Sequence, residues 1–256
     1  MDLAEVGSVG GFFALRTQAP DRPVDRGAHG SAYSPFAAIY AGDIAPLSAR
    51  VDAVAEKLGA PERRVAASIA QLGLAARLWS VALGSAALHG EVPDLDPARL
   101  YWNPHRTSPD DLLLPGPRAF PVTGAAARPT VTALAEAVRE VVQFGHLVPL
   151  GAALRADGAI APRLLWGNAG SALAGALSEL RVWSHRAGRP EAGERAAAIG
   201  AALFTHPDLR ATGRREDGTF RRRSCCLYYR CPSGGLCGDC VFDRPPPRSS
   251  VGEVSG

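Results

Sequence analysis

All five cysteines of this 256-residue chain fall between positions 225 and 240. Thiols crowded into one short stretch cannot staple a whole fold, and the 46% apolar content is enough to bury a sizeable core without them. One large domain or two coupled lobes are therefore expected, with a local cysteine centre near the C-terminus. Disulfides are rare in a reducing cytoplasm, so clustered cysteines there point to metal or redox chemistry. The opening Met1-Asp2-Leu3-Ala4-Glu5 lacks a basic start, and the first apolar patch, Phe12 to Leu15, is too short for an export signal. A cytoplasmic location is expected. The longest apolar stretch, Val65 to Leu88, is interrupted by Gln71 and Arg77, which would be costly at a bilayer centre. It reads as a buried helix, with no integral membrane segment.

Charge adds little. With 28 basic and 25 acidic residues the balance is only +3, too weak to argue for nucleic acid, and Lys57 is the single lysine. Any charge argument is local.

Residues 1–46 read as a loop-rich N-terminal segment, because 17–46 are punctuated by Pro20, Pro23, Gly27, Gly30, Pro35, Gly42 and Pro46 without helical periodicity. A mainly helical body follows over 47–210. Leu47, Val51, Val54, Ala55 and Leu58 recur at helical spacing, with Ser48 placed to cap and Gly59 to terminate. Pro61 suits a first helical position, and a longer buried helix runs from Glu62 to about Leu88, stopped by Gly90 and Pro93. Between Asp94 and Val122 the short runs Arg99–Trp102 and Asp111–Leu114 suggest a small antiparallel strand pair. Helical spacing returns from Thr130 through Leu134, Val138 and Val142, then again around Leu147 to Leu154, Ile160 to Val182 and Glu191 to Phe204. The fold class is mainly α (α+β), ending in a cysteine segment at 211–244 and a proline-rich, disordered tail at 245–256.

The cysteine segment has the core C-C-x10-C-x2-C, from Cys225-Cys226 to Cys237 and Cys240, with Ser233-Gly234-Gly235 as a tight reversal between the pairs. Zinc accepts four thiolates, but structural zinc sites draw each ligand pair from spaced cysteines, and adjacent side chains diverge. A two-iron cluster offers ligand positions on two metals and tolerates adjacency better. Structural thiols and a disulfide staple are the bland alternatives.

Arg-Arg-x-Cys-Cys-Leu-x-Tyr, the glycine-rich turn and the closing Cys-x-x-Cys together resemble the siderophore-iron reductases of the FhuF type. Leu165-Trp166-Gly167-Asn168 and the helix holding Leu78-Trp79 are similar to that family more diffusely. The resemblance implies that Cys225, Cys226, Cys237 and Cys240 hold a [2Fe–2S] cluster used to reduce ferric siderophores. Cys231 has no place in that pattern.

A two-iron cluster relays one electron at a time, matching ferric-to-ferrous conversion. No dinucleotide or P-loop signature is present, so electrons are expected from an external donor: a ferredoxin, flavodoxin or flavin reductase. Outer-sphere transfer needs no acid–base residue, and none is assigned. Arg221, Arg222, Arg223 and Arg230 flank the first cysteine pair as a possible contact for the donor or for an anionic ferric siderophore, against the simpler reading of a solvated loop. Tyr228 and Tyr229 are expected to shield the centre from water rather than stack on a siderophore, and Trp166 and Asn168 to shape a turn or cap, with part of a surface pocket near the cluster as their second reading. The histidines show no paired ligand spacing. The competing functions are a zinc-stapled binding module and an iron–sulfur redox sensor.

Overall fold

The computed structural model describes residues 1–18, 33–122, 129–216 and 218–246. The short helix α1 (Leu3–Gly7), capped by the Asp2 carboxylate, leads to a 3-10 turn at Gly11–Phe13. Strand β1 (Ser34–Pro35) and helix α2 (Phe36–Tyr40) follow, then α3 (Ala45–Leu58) and the long α4 (Arg63–His89). Strands β2 (Tyr101–Trp102) and β3 (Leu112–Leu113) come next. The second half contains α5 (Val131–Val138), a π-helical stretch at Arg139–Leu147, α6 (Val148–Asp157), α7 (Pro162–Arg186), α8 (Pro190–Leu203) and α9 (Pro207–Arg210). A hairpin of β4 (Gly213–Glu216) and β5 (Thr219–Arg222) then opens the cysteine segment. Among the described residues the protein is mainly α with two small antiparallel sheets.

The core is built around α4, which packs on α7, α3, α8 and the N-terminal turn. Its alanine-rich sequence is buried nearly all round, because small side chains let neighbouring helices approach from every side. Among the described residues it alone is long and apolar enough to cross a membrane, yet most of it lies inside the fold. Arg77 explains how a charge survives there. Its guanidinium is 1% exposed and donates to Asp111 Oδ1 at 2.9 Å, to the carbonyls of Gly11 and Ala14 at 3.0 and 2.6 Å, and also to Phe12. The interior arginine thus ties the N-terminal turn and the β3 region to the central helix.

Several details differ from the sequence expectations. Helix α3 begins at Ala45 with Pro46 in its first turn, so Ser48 lies within it and instead accepts from Arg63 at 2.6 Å. Glu62, not Pro61, flanks the start of α4. The expected strand pair exists but has a third member, because β1 pairs with β2 in the register Ser34↔Trp102. That strand and α2 lie in the stretch read as loop, where two- and five-residue elements are too short to show periodicity. The β4–β5 hairpin also escaped pattern reading, since Gly213–Glu216 is charged and lacks apolar alternation. Most of the proline-rich tail lies outside the described residues.

Candidate metal centre

The cysteine segment is seated in a notch on α7. An ideal Cβ on Gly167 would sit 1.8 Å from Ser224 Oγ, and one on Gly170 would sit 2.0 Å from Thr212 Oγ1. One helical turn apart, the two glycines let the chain entering the segment lie directly on the helix. Backbone bonds complete the docking: Arg222 donates to Asp239 O and Arg223 to Thr212 O, both at 2.9 Å. The first of these brings the Cys237–Cys240 loop against the end of β5, so both cysteine pairs share one side of the segment.

A buried relay fastens the first pair to the body. Asn168 Nδ2 donates to Ser68 O at 2.9 Å and to Ser68 Oγ at 3.1 Å, and Ser68 Oγ donates to Cys226 O at 2.8 Å. Asn168 Oδ1 accepts from the Arg222 guanidinium. Helices α4 and α7 therefore both grip the residues around Cys226. Asn168 is mid-helix, since α7 starts at Pro162, and is a clamp rather than the expected turn or cap. Trp166 lines a small hollow with Gln71 and Val148 between α4, α6 and α7.

The local backbone turns amides toward sulfur. Leu227 adopts φ 69°, a left-handed conformation uncommon for a branched residue. Its N–H donates to Cys225 Sγ at 3.2 Å, and the Tyr228 N–H bonds the Cys226 sulfur. Successive amides aimed at one place form an anion-favouring nest. Phe242 N–H lies 3.5 Å from Cys240 Sγ. The turn after Cys231 needs Gly234, whose Cβ would lie 2.0 Å from Tyr228 O.

Three of the sulfurs meet at Cys226. Cys225 and Cys237 both hydrogen-bond the Cys226 sulfur, which with the Arg222 charge holds that thiol well below its ordinary range. The same contact, reinforced by burial, pushes Cys225 and Cys237 upward, and the Cys240 charge also acts on Cys225. Among the described residues no three His, Cys, Asp or Glu side chains group around a single ion. Cys226 is buried and Cys225, Cys237 and Cys240 are partly exposed, while Cys231 is fully buried.

The surroundings also call for an anion. Arg222 is 2% exposed, and its Nε and Nη1 have no hydrogen-bond partner; neither does the buried Ser224 Oγ. A buried cation with two orphan donors is costly unless negative charge faces it. Four thiolates with bridging sulfide would provide that charge, so the residues present fit an iron–sulfur cluster.

The four arginines do not form one exposed rim. Arg222 is inside, and Arg230 is pinned to Glu62 at the start of α4, holding that carboxyl below its usual range. Arg221 pairs with Asp243 at 2.6 Å on the surface, and Arg223 is exposed. Tyr229 packs edge-on against Phe242, with ring centroids 5.8 Å apart.

Fold and site define a helical protein whose C-terminal segment gathers thiols around a buried positive charge. Residues 222–242 match the family model described as the FhuF 2Fe-2S C-terminal domain. The chain therefore carries an FhuF-type C-terminal domain, and its cofactor is a [2Fe–2S] cluster. The match covers this segment and not the helical body. No curated protein matches the chain. The cofactor decides against the zinc-stapled alternative.

Proposed function

We propose that Cys225, Cys226, Cys237 and Cys240 hold the cluster, and that the protein reduces siderophore-bound ferric iron in the cytoplasm. The observation that carries this reading is the family match at 222–242, which falls on the segment where the Cys226 sulfur lies under the charge of the buried Arg222. When bound, the cluster supplies storage for a single electron. An external donor such as a ferredoxin, flavodoxin or flavin reductase provides one electron per turnover. The ferric ion of the siderophore is reduced to ferrous iron, which the chelator holds weakly and releases.

The chain's own residues shape that transfer. Asn168 and Ser68 fix the backbone at Cys226, and the Leu227 and Tyr228 amides stabilise sulfur charge. Arg222 favours the more negative, reduced state and so raises the potential. Arg221 and Arg223 offer surface charge to an acidic donor. Nucleic acid has no part in this reading.

Anaerobic incubation of the reduced, cluster-loaded protein with a panel of ferric siderophores, with a ferrous trap present, tests the activity. Stoichiometric ferrous release is expected, and a cluster that reduces none of them would leave a redox sensor instead. The ligand set is tested separately. Serine at 225, 226, 237 or 240 should strip or destabilise the visible spectrum, whereas Cys231→Ser should leave it nearly intact.

A further inference from the structure

A cleft of about 610 Å3 opens beside the metal centre. Its floor is the outer face of α7 at Ser171, Gly175 and Ser178, and its walls come from α8, the β4–β5 hairpin and the Cys237–Cys240 loop at Gly238 and Asp239. That size lies within the range of small-molecule sites. The loop wall is the stretch between two of the proposed ligands, so a molecule in the cleft sits against the partly exposed half of the cluster site.

Glycine at 175 is a second observation, independent of the cavity. Helix interiors disfavour glycine relative to alanine, so one kept there needs a reason. Gly167 and Gly170 have one, because a neighbour fills the place of their side chains; a Cβ on Gly175 would meet nothing within 4 Å. What its absence provides is open space above α7. On the far side of the same stripe, Ser171, Gly175 and Glu179, lies an apolar hollow of about 340 Å3 that includes Phe12, Phe13, Leu72 and Ala76. Gly175 lies between a mixed, hydroxyl-bearing compartment next to the cysteines and a more apolar one next to the N-terminal turn.

The charges identify the occupant further. Arg181, Arg215, Glu179 and Asp239 all line the cleft, so its charged side chains balance in number. Arg215 is steadied by its guanidinium lying 4.9 Å from the Phe204 ring centroid, and Phe204 in turn packs on Phe220 of the cleft wall. A balanced, hydroxyl-lined cleft beside an apolar hollow suits a chelate of low net charge with an organic backbone, not a compact polyanion.

We propose that this cleft is the docking site of the ferric chelate, with the iron end against Gly238–Asp239 and the organic backbone crossing Gly175 toward Phe12. The assignment rests on the reductase reading. The test uses the full, cluster-loaded chain and gallium(III) desferrioxamine B, a redox-inert stand-in for a ferric chelate of low charge. Calorimetric titration should show binding to the wild-type protein. Gly175→Trp, which builds a bulky side chain out from a position where a Cβ meets nothing within 4 Å, should weaken it at least tenfold, and Ser178→Trp on the same floor should act in the same direction. Both tryptophan variants should keep the visible spectrum and midpoint potential of the wild type, while their ferric-reduction rates fall in step with binding. Equal binding and equal reduction rates in wild type and both tryptophan variants would overturn the cleft and leave the reductase reading standing. Failure of the wild-type protein to reduce any ferric chelate would instead defeat the reductase reading itself.

Discussion

Arg77 and Arg222 are both buried arginines, 1% and 2% exposed, and they are satisfied in opposite ways. Arg77 has a carboxylate and several carbonyls around its guanidinium, all supplied by the fold. Arg222 has one amide oxygen, from Asn168, and two nitrogens without partners. The first charge serves folding and is complete without a ligand. Of the thiols near the second, the fold by itself holds only Cys226 toward its anion, so the compensation is completed by the cofactor.

The largest expected effect follows from the first half of that contrast. Arg77→Ala leaves Asp111 buried and unpaired, and should cost about 3–5 kcal/mol of unfolding free energy in denaturant titrations, with or without the cluster. Arg222→Met in the cluster-free protein should change stability by less than about 1 kcal/mol, because it removes a poorly satisfied charge. Equal losses in the two variants would erase the distinction.

His146 extends the comparison to pH. It is fully buried, with Nε2 2.6 Å from Leu95 O and Nδ1 2.9 Å from the Tyr40 hydroxyl, and burial lowers its pKa from 6.5 to about 4. The unfolded chain takes up the proton near pH 6.5 and the folded chain near 4. Stability from this group is therefore complete above pH 6.5 and lost as pH falls toward 4, by about 3 kcal/mol in all. Denaturation across that window should show the slope in wild type and lose it in His146→Phe. An unchanged slope would mean that other groups carry it.

The second half of the contrast is electrochemical. Arg222→Gln should lower the cluster midpoint potential, and a fall of roughly 59 mV would be a tenfold shift in a one-electron equilibrium. Asn168→Ala, which frees the guanidinium to move, should shift it less. A potential unmoved by both variants would return Arg222 to a packing role. Smallest of all, neutralising Arg221 and Arg223 should leave stability within about 0.5 kcal/mol. Its effect should be slower reduction by an acidic donor and a flatter salt dependence, read by stopped flow. Unaltered rates would make these two arginines solvent-facing and nothing more.

Much of this was legible in the residue order because it depends on local spacing. Helical periodicity placed α3, α4, α7 and α8, and Gly59 and Gly90 mark their helix ends with left-handed conformations in the structure. The crowding of cysteines after position 224 likewise pointed to a metal or redox centre before any contact was known. Tertiary structure alone decided how the arginines divide, since Arg221, Arg222 and Arg223 are identical as letters. Pairing of β5 with β4 and with the Asp239 carbonyl turns only the middle one inward. Gly167, Gly170 and Gly175 are equally alike in sequence, yet two are filled by neighbours and one is open. Burial and close approach depend on residues far away in the chain, such as Ser68 beneath Cys226 and Thr212 against Gly170, and periodicity along one segment carries no information about which distant segment will cover it.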